Sequence, residues 1–598
     1  MFVGPRLKFV VVLAVALLAA VGMLVGCSDV DGEGFEGSPD GEGDTAFVDG
    51  KADQLFGDCH LEHILLLVND PEIESQRLKD EGVHTRAARN IVEHRAGSDG
   101  VLGSDEDVFF RSVEEIDDVY FVGPVAIQQL VDAVDVYCAD GPWREADSIF
   151  SPRPYHDSHI DRVVDEIESA ERSIDMAMYS ISDNRAITAI GDAVARGVTV
   201  RLLFNGANGD HLNTPGSRSA QLEDLGVDVR YINRIMHHKF AIIDGPQEDL
   251  LKASTARFFS GSGNLSFGAA TRYDENTTFH QGDPALVLTM QREFNHLWEN
   301  SRDLEWNEEL EYFETLPIEE EMIPPRDDLE VLLTSENFET TYSNRWGAGF
   351  RPISFSEVVA TRLVELIEEA NSSIYVAAGF LRSRAVSEAI MRRWSEDPDL
   401  DIRIYLDQSE YISEWYHNSQ LSDLEDCLSD AGEDQSDIYD CRERGFIYAY
   451  QLHEQDIPVR FKNYSYRWHY SYALQMHHKY MIFDRHTVAT GSYNFSNNAE
   501  QNTMENVIVY RSPFYPDVVE GFVDNFETIW ETGRDEGRFE ALIEEIDTSD
   551  EIDLIFEPAA LSWEEVTEVR QRIRDRCPEV NSEPFRTRPE DHRSCSAE

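Results

Sequence analysis

The sequence predicts an α/β protein with two pseudo-symmetric lobes, each a mixed β-sheet flanked by helices, preceded by a small all-α domain. Helical segments alternate with short apolar segments along most of the chain, which is typical of βαβ units. This order of segments occurs twice, once in each half of the chain. With 598 residues, of which 41% are hydrophobic, the chain is long enough for several domains with buried cores.

Hydrophobic periodicity places the repeated elements along the chain. The first half is predicted to run through helix 159–170, strand 174–179, helix 185–196 and strand 198–204. The second half is predicted to run through helix 357–370, strand 373–378, helix 385–394 and strand 402–406. Because both halves have the same order of elements, we expect a duplicated domain.

Composition and these elements divide the chain into seven segments. They are a lipoprotein signal peptide at 1–26, an acidic flexible tether at 27–57, a helical domain at 58–140, lobe 1 at 148–310, an acidic irregular linker at 311–350, lobe 2 at 351–535 and an acidic helical tail at 536–598. Lobe 1 has about ten extra residues, expected in a hairpin at 245–254, and lobe 2 has an insertion at 408–444.

The chain is strongly acidic, with 115 Asp and Glu residues against 51 Lys and Arg and a formal net charge of −64. Such a charge repels bare nucleic acid and anionic membranes, except where a local basic pocket is built. Only seven of the basic residues are lysines.

The amino terminus has the pattern of a secretory signal. Arg6 and Lys8 precede an apolar run at 9–21 that is short for a membrane span. A retained single-span anchor is the alternative. The segment Leu24–Cys27 resembles the lipobox of bacterial lipoproteins, which implies that Cys27 is acylated. Because Ser28 follows it, the resemblance implies an outer-membrane lipoprotein that faces the periplasm or the cell surface.

Six cysteines remain when Cys27 is set aside, an even number that suits an exported protein with disulfides. Fifteen connectivities are possible, and we choose the pairing of sequence neighbours. These pairs are Cys59–Cys138, Cys427–Cys441 and Cys577–Cys595. None of the spacings matches a zinc site, so we expect no metal there.

The helical domain contains two glycine turns, at 81–83 and 121–124, that each lead into a helix. They resemble the helix-hairpin-helix module, which implies contact with a nucleic-acid phosphate. The segment 59–140 has eighteen acidic residues and only six basic ones. The charge therefore favours a structural or protein-docking role.

One motif occurs twice, with its two copies 240 residues apart. It reads His-x-Lys-x4-Asp, and each copy is followed by Gly-Ser-x-Asn and then by Glu. The first copy consists of His237, Lys239, Asp244, Ser262, Asn264 and Glu275. The second consists of His477, Lys479, Asp484, Ser492, Asn494 and Glu505. In a strand, His237 and Lys239 point to one face and His238 to the other, so the adjacent histidines are not equivalent.

This pair of motifs resembles the signature of the phospholipase D superfamily over residues 148–535. The resemblance implies phosphodiester chemistry in which His237 is the nucleophile and forms a phosphohistidine, while His477 is the general acid and base. It implies no cofactor and no metal, because lysines and an imidazolium stabilise the charge instead.

The remaining motif residues have supporting roles in this hypothesis. Lys239, Lys479, Asn264 and Asn494 bind the non-bridging phosphate oxygens, and Ser262 and Ser492 assist. Glu275 and Glu505 orient the imidazoles. Asp244 and Asp484 complete the two catalytic motifs, although in the family this Asp is usually a structural partner.

The resemblance leaves the substrate open. Export, the acidic charge and an aromatic run favour a phospholipid or membrane surface over nucleic acid. The run comprises Tyr464, Tyr466, Trp468, Tyr470 and Tyr472. A metal-independent endonuclease acting on DNA or RNA and a non-catalytic surface lipoprotein scaffold are the alternatives. We expect a monomer, because one chain supplies both lobes as an intramolecular pseudo-dimer.

Overall fold

The computed structural model describes residues 46–47, 55–138, 144–304, 316–326, 328–345, 347–443 and 447–596. The predicted signal peptide, Cys27 and most of the predicted tether lie outside the described residues. The described part of the chain contains two eight-stranded mixed sheets with helices around them, which confirms the predicted fold class.

The sheet of lobe 1 combines a parallel and an antiparallel half. In spatial order its strands are Arg302–Asp303, Asp228–Tyr231, Thr199–Phe204, Ser173–Met178, Lys239–Ile243, Arg257–Gly261, Glu275–Gln281 and Glu145–Ser151. The second, third and fourth of these are parallel, and the motif strand Lys239–Ile243 runs antiparallel to them at the centre of the sheet.

The sheet of lobe 2 repeats this order. Its strands are Ile555–Ser562, Val459–Ser465, Asp401–Asp407, Ser373–Ala378, Lys479–Phe483, Thr487–Gly491, Asn506–Arg511 and Leu329–Leu333. The register also repeats, since Lys239 pairs with Met178 in one sheet and Lys479 pairs with Ala378 in the other. The two motif lysines therefore begin equivalent strands.

Two segments differ from the sequence prediction. The expected linker contains the edge strand Leu329–Leu333 and a strand, Phe338–Ser343, that pairs with Gly347–Pro352. The expected helical tail contributes the opposite edge strand, Ile555–Ser562. Leu329–Leu333 has only five residues, and Ile555–Ser562 is interrupted by Glu557 and Pro558, so neither shows a clear apolar alternation in the sequence.

The helices follow the predicted order with ends shifted by one or two residues. In lobe 1 they are His159–Glu168, Asn184–Ala195, Ala207–Asp210, Arg218–Asp224, Phe267–Thr271 and Pro284–Glu299. In lobe 2 and the tail they are Val358–Glu369, Arg384–Glu396, Glu414–Ala431, Gln435–Arg442, Ile447–Glu454, Asn497–Asn502, Pro516–Trp530, Arg538–Thr548, Trp563–Arg576 and Glu583–Thr587.

Local chemistry explains where the equivalent helices begin and which side they bury. Asp183 accepts hydrogen bonds from the backbone of Arg185 and Ala186, and Ser383 caps the equivalent helix of lobe 2 in the same way. The first helix of lobe 1 buries Ile160, Val163, Val164 and Ile167, which are spaced at helical intervals on the side that packs into the lobe core.

The amino-terminal domain is helical, as the sequence predicts. Its helices are Asp58–Asn69, Ser75–Asp80, Thr85–Arg95, Val113–Asp117 and Pro124–Val134. The ten extra residues of lobe 1 form a loop with a 3₁₀ turn, Leu250–Ser254, between two antiparallel strands. This loop docks on the domain, where Leu250 N donates to Asp70 at 3.1 Å and Arg77 pairs with Asp249 at 2.9 Å.

Three disulfides link the cysteines in the pairs expected from their order along the chain. They are Cys59–Cys138, Cys427–Cys441 and Cys577–Cys595. The first closes the helical domain, the second joins two helices of the lobe 2 insertion, and the third ties the carboxy-terminal segment. Among the described residues, none of the helices has the length and apolar character needed to cross a membrane.

Candidate active site

The two lobes meet through a crossed pair of backbone contacts. His237 N donates to Met504 O at 3.1 Å, and His477 N donates to Asp274 O at 3.0 Å. The short strands Ile235–Met236 and Thr503–Met504 pair in parallel at the same contact. Because a glutamate follows each acceptor residue, the crossing brings the histidine of each lobe to the glutamate of the other.

Each motif histidine forms a short hydrogen bond with a glutamate of the opposite lobe. His237 Nδ1 lies 2.7 Å from Glu505 Oε2, and His477 Nδ1 lies 2.8 Å from Glu275 Oε1. Both glutamates are fully buried. A carboxylate at Nδ1 fixes the tautomer and orientation of an imidazole and leaves Nε2 for chemistry.

A buried lysine accompanies each of these histidines. Lys239 Nζ donates to the carbonyl of His237 at 2.7 Å, and Lys479 Nζ donates to that of His477 at 2.9 Å. Burial lowers the pKa of Lys239 to about 7 and that of Lys479 to about 8, although Glu505 and Glu275 partly offset it. Both ammonium groups therefore lose their charge more easily than ordinary lysines.

The two histidine–glutamate pairs differ in their proton affinity. Burial lowers the pKa of His237 well below its usual value, and the charges of Lys239 and Lys479 lower it further. Burial also lowers the pKa of His477, while Glu275 raises it. Burial raises the pKa of Glu505 to about 7. The pKa of Glu275 is lowered, because His477 and Lys479 outweigh the effect of burial.

The second histidine of each doublet holds the interface together, as strand alternation predicts. His238 Nδ1 lies 3.1 Å from Asn506 Oδ1 of the other lobe, and its Nε2 lies 3.2 Å from Glu293. His478 Nδ1 lies 3.1 Å from Asn276 Nδ2, again across the interface. These rings are fully buried, so they position the strands and do not face the substrate.

The predicted phosphate ligands divide into two kinds. Ser262 and Ser492 are fully buried, and their Oγ atoms accept hydrogen bonds from the backbone of Asn276 and Asn506 at 2.9 and 3.0 Å. Their predicted role is therefore wrong: they hold the strands that carry the glutamates, and they also hydrogen-bond the glutamates themselves.

The asparagines of the same motifs remain available for a substrate. Within the described residues, the Oδ1 atoms of Asn264 and Asn494 have no hydrogen-bond partner, although both atoms are buried. A buried amide without a partner is costly unless a ligand or water satisfies it. These oxygens can only accept hydrogen bonds, so they suit a donor such as water or a hydroxyl, whereas the predicted contact with phosphate oxygens needs the Nδ2 donors and stays a prediction.

The catalytic placement of Asp244 and Asp484 is also corrected. The Asp244 carboxylate accepts hydrogen bonds from the backbone N–H groups of residues 171–173, and Asp484 does the same for residues 371–373. Each lies five residues beyond its motif lysine along a strand, roughly 16 Å away at the usual rise. They anchor the far end of the motif strand and lie outside the site.

One residue near the site, Tyr179, could not be predicted from the repeated motif. The ring of Tyr179 packs edge-on against His237 at 4.7 Å, and Lys239 Nζ lies 5.3 Å from its centre. In lobe 2 the equivalent position is Gly379, since both backbone N–H groups donate to the second histidine of the doublet. Comparing the sequences of the two halves therefore does not single out Tyr179, because its counterpart is a glycine.

The aromatic run before the second motif does not form a single face. Tyr464 is buried in the strand Val459–Ser465 and lies near Asp407, whereas Trp468 and Tyr470 are exposed in the following loop. The run extends from the strand into the following loop. Its alternate spacing therefore does not place all five aromatic side chains on one face of a strand.

Comparison with known proteins agrees with this geometry. The model of the family described as cardiolipin synthase, PLD-like domain, matches residues 163–298 and 363–530, about half of the chain. The chain belongs to the phospholipase D superfamily. The matched regions contain both histidines, both lysines and both glutamates of the site.

Curated members of the superfamily match part of the chain. The mitochondrial cardiolipin hydrolase of Chlamydomonas reinhardtii is 30% identical over 142 residues, which cover 23% of this chain and 57% of that protein. The phospholipase D of Rickettsia prowazekii is 34% identical over 118 residues, which cover 19% of this chain and 50% of that protein. The chain thus spans between half and two thirds of the length of these relatives.

Solved structures also match part of the chain. The phospholipase D family member Nuc from Salmonella typhimurium is 25% identical, with 27% of this chain and 97% of that chain covered and a TM-score of 0.23. Phosphatidylserine synthase from Haemophilus influenzae is 11% identical, with 64% and 85% covered and a TM-score of 0.40.

Proposed function

We propose that this chain is a phosphodiesterase that hydrolyses the head-group phosphodiester bond of phospholipids through a covalent phosphohistidine. The crossed pairs His237–Glu505 and His477–Glu275 carry the proposal. Each lobe supplies one imidazole and the carboxylate that orients the other, so the two lobes build one site together. A phosphodiester needs a nucleophile on one side of phosphorus and a proton donor on the other.

In the first step, the lone pair of His237 Nε2 attacks phosphorus and forms a P–N bond. The bond from phosphorus to the head-group oxygen breaks, and that oxygen takes its proton from His477. The low pKa of His237 suits this step, because a neutral imidazole is required for attack. The Glu275 carboxylate supports the protonated form of His477.

In the second step, His477 takes a proton from water and the water oxygen attacks phosphorus. The P–N bond breaks, its electron pair returns to His237, and phosphatidic acid leaves. Lys239 and Lys479 stabilise the non-bridging oxygens in both steps, and the amides of Asn264 and Asn494 add hydrogen bonds. The chain supplies these charges from its own side chains.

Phospholipid is favoured as the substrate class by two observations. The curated relatives are named cardiolipin hydrolase and phospholipase D. The formal net charge of −64 opposes the binding of an extended polyanion such as DNA, whereas a single phosphodiester needs only the local lysines. We also propose that the chain is an outer-membrane lipoprotein acylated at Cys27, which would place it beside its substrate.

A nuclease is the second candidate, favoured by one feature. The helix pairs Ser75–Asp80/Thr85–Arg95 and Val113–Asp117/Pro124–Val134 are each joined by a short connection with a glycine. This arrangement resembles the helix-hairpin-helix module. The acidic composition of the same domain opposes it, as described above.

The test uses purified protein in the presence of EDTA. Vesicles of phosphatidylcholine and of cardiolipin are incubated with ethanol, and plasmid and single-stranded DNA are incubated separately. We expect phosphatidic acid and phosphatidylethanol from the vesicles, a loss of at least about 10³-fold in His237→Ala and in His477→Ala, and unchanged activity in the exposed-site control His486→Ala. Cleavage of DNA alone would support the nuclease, and no reaction with either substrate would support a scaffold.

A further inference from the structure

The two histidines are held by equivalent backbone contacts. Met236 N, one residue before His237, donates to Asn205 Oδ1 at 3.2 Å. Met476 N, one residue before His477, donates to Asp407 Oδ2 at 3.0 Å. The two lobes thus use the same position for the same bond, with a neutral amide in one and a carboxylate in the other.

The register of the neighbouring strands identifies two more equivalent positions. Arg230 covers the ring of Trp298 at 4.0 Å, and Arg460 covers that of Trp530 at 4.1 Å, so these arginines correspond. Two residues further along the chain are Ile232, just after the end of its strand, and Lys462, within its strand. The residues before the two glutamates correspond through the crossed backbone contacts, and they are Met504 and Asp274.

At these three matching positions, the residues near His237 are therefore neutral, whereas those near His477 are charged. The neutral set is Asn205, Ile232 and Met504. The charged set, which we call the acidic–lysine cluster, is Asp407, Lys462 and Asp274. Five of these side chains are buried, and Asn205 is half-buried.

The cluster lies next to the backbone of Met476 and His477. Lys462 Nζ lies 2.7 Å from Asp274 Oδ1, and both side chains are at most 7% exposed. Asp407 is fully buried and accepts a second backbone hydrogen bond, from Ser409. Buried charges carry a desolvation cost that a neutral set avoids, and lobe 1 demonstrates that this fold accommodates the neutral set. Stability alone therefore does not explain the cluster.

We propose that Asp274, Asp407 and Lys462 are positioning residues that make the two histidines unequal, and that they hold His477 in the proton-donating role and leave His237 as the nucleophile. The inference rests on the proposed function. Burial raises the pKa of both carboxyls and Lys462 lowers it; with both ionised, the cluster has one net negative charge, which favours a cation nearby. The Asp407 carboxylate accepts a hydrogen bond from Met476 N, and the backbone carbonyl of Asp274 accepts one from His477 N. The equivalent backbone at 236 and 237 has no such charge in these positions.

The other charged groups around the two histidines are closely matched. Those that act on His477 are Glu275, Lys479 and Lys239. Those that act on His237 are Glu505, Lys239, Lys479, His477 and His238. None of the three cluster residues is among the groups with the largest direct effect on His477, so in this proposal the cluster acts on His477 through the backbone that it holds. In agreement with the assignment, the pKa of Glu275 is lowered by His477 and Lys479 and that of Glu505 is raised to about 7 by burial, so the carboxylate beside His477 stays ionised more readily than the one beside His237.

The test replaces the cluster by its lobe 1 counterpart, with Asp274→Met, Asp407→Asn and Lys462→Ile combined. Asp407→Asn alone is the second variant in case the triple variant does not fold, because it keeps the shape and the hydrogen bond from Met476 N and loses only the one from Ser409 N. Turnover is measured with bis(4-nitrophenyl) phosphate, whose leaving group needs little protonation, and with phosphatidylcholine, whose choline leaving group needs a proton. The pH midpoint for carbethoxylation of each histidine by diethylpyrocarbonate is mapped by mass spectrometry.

We expect turnover of phosphatidylcholine to fall by about 10²-fold and that of the nitrophenyl ester by at most about threefold. In the wild type the midpoint of His477 should lie above that of His237, and the cluster variants should lower it by about one pH unit. Equal losses with both substrates, or an unchanged midpoint, would overturn the inference. A wild type inactive on both substrates would contradict the proposed function, while the midpoints would still decide whether the cluster makes the histidines unequal.

Discussion

Nδ1 of His237 lies 2.7 Å from the carboxylate of Glu505, although the two residues belong to different lobes and are 268 positions apart. The equivalent contact between His477 and Glu275 crosses the interface in the other direction. Neither lobe alone therefore contains a complete histidine–glutamate pair. The arrangement makes correct docking of the lobes a condition for activity.

The first prediction concerns these crossed pairs. Glu505→Gln should lower the rate at which phosphohistidine forms by about 10²-fold, because the neutral amide no longer holds His237 in the required tautomer. Glu275→Gln should lower both formation and hydrolysis, since His477 acts in both steps. Rapid-quench measurements of the phosphoenzyme separate these rates, and rates within threefold of the wild type in both variants would contradict the crossed assignment.

The second prediction concerns pH. Lys239 and Lys479 have pKa values of about 7 and about 8, because burial disfavours their charged forms. The cationic form binds the phosphate oxygens, so kcat/KM should fall as the pH rises through this range. In Lys239→Arg, which stays charged at the position with the lower pKa, the maximum rate should be lower but its fall should begin at higher pH. A wild-type profile that stays flat to about pH 10 would argue against cationic lysines at the phosphate.

A third prediction separates the motif aspartates from catalysis. Asp244→Ala removes the acceptor for three backbone N–H groups and should destabilise the fold by about 1–3 kcal/mol. The backbone of Asp244 is also left-handed, with φ of 55°, which asparagine tolerates better than alanine. Asp244→Asn should therefore lower Tm less than Asp244→Ala, and both should keep kcat/KM within about threefold at 25 °C. A large loss of activity without a change in Tm would return this residue to the site.

The fourth prediction concerns the disulfides. Cys577 and Cys595 are buried against the lobe 2 core, and their bond closes a loop with a separation of 18 residues. Replacing both by serine should lower the free energy of unfolding by about 3 kcal/mol. The matched pair Cys427→Ser and Cys441→Ser lies in the helical insertion, so we expect it to loosen those helices and to shift the main unfolding transition less. Thermal melts followed by circular dichroism compare the two double variants. Equal decreases in Tm would contradict the prediction that the Cys577–Cys595 bond contributes more to stability.

Much of the fold was accessible from the sequence, because buried strands leave a strong apolar signal. The predicted strand 373–378 coincides with Ser373–Ala378, and the neighbouring helices differ at their ends by only a few residues. The edge strands were missed for the opposite reason. Leu329–Leu333 and Ile555–Ser562 lie at the margins of their sheet, where one side faces solvent and charged residues interrupt the apolar pattern.

Within the candidate site, only the residues that occur in both copies of the motif could be predicted from the sequence. The histidines, lysines and glutamates occur twice in the same order, and the structure brings them together. The partner of each glutamate depends on how the lobes dock, which no local pattern encodes. The buried location of Ser262 depends on a backbone contact with Asn276 in the next strand of the sheet, and Tyr179 has no counterpart to mark it.

The covalent link between the lobes has an evolutionary consequence. In a dimer of identical subunits, a carboxylate introduced behind one histidine would appear behind both, since one gene encodes both copies. Here the two equivalent positions differ, with Asp407 in one lobe and Asn205 in the other. In a fused duplication, the two lobes can therefore change independently. One lobe can come to favour the nucleophilic attack, while the other comes to favour proton transfer.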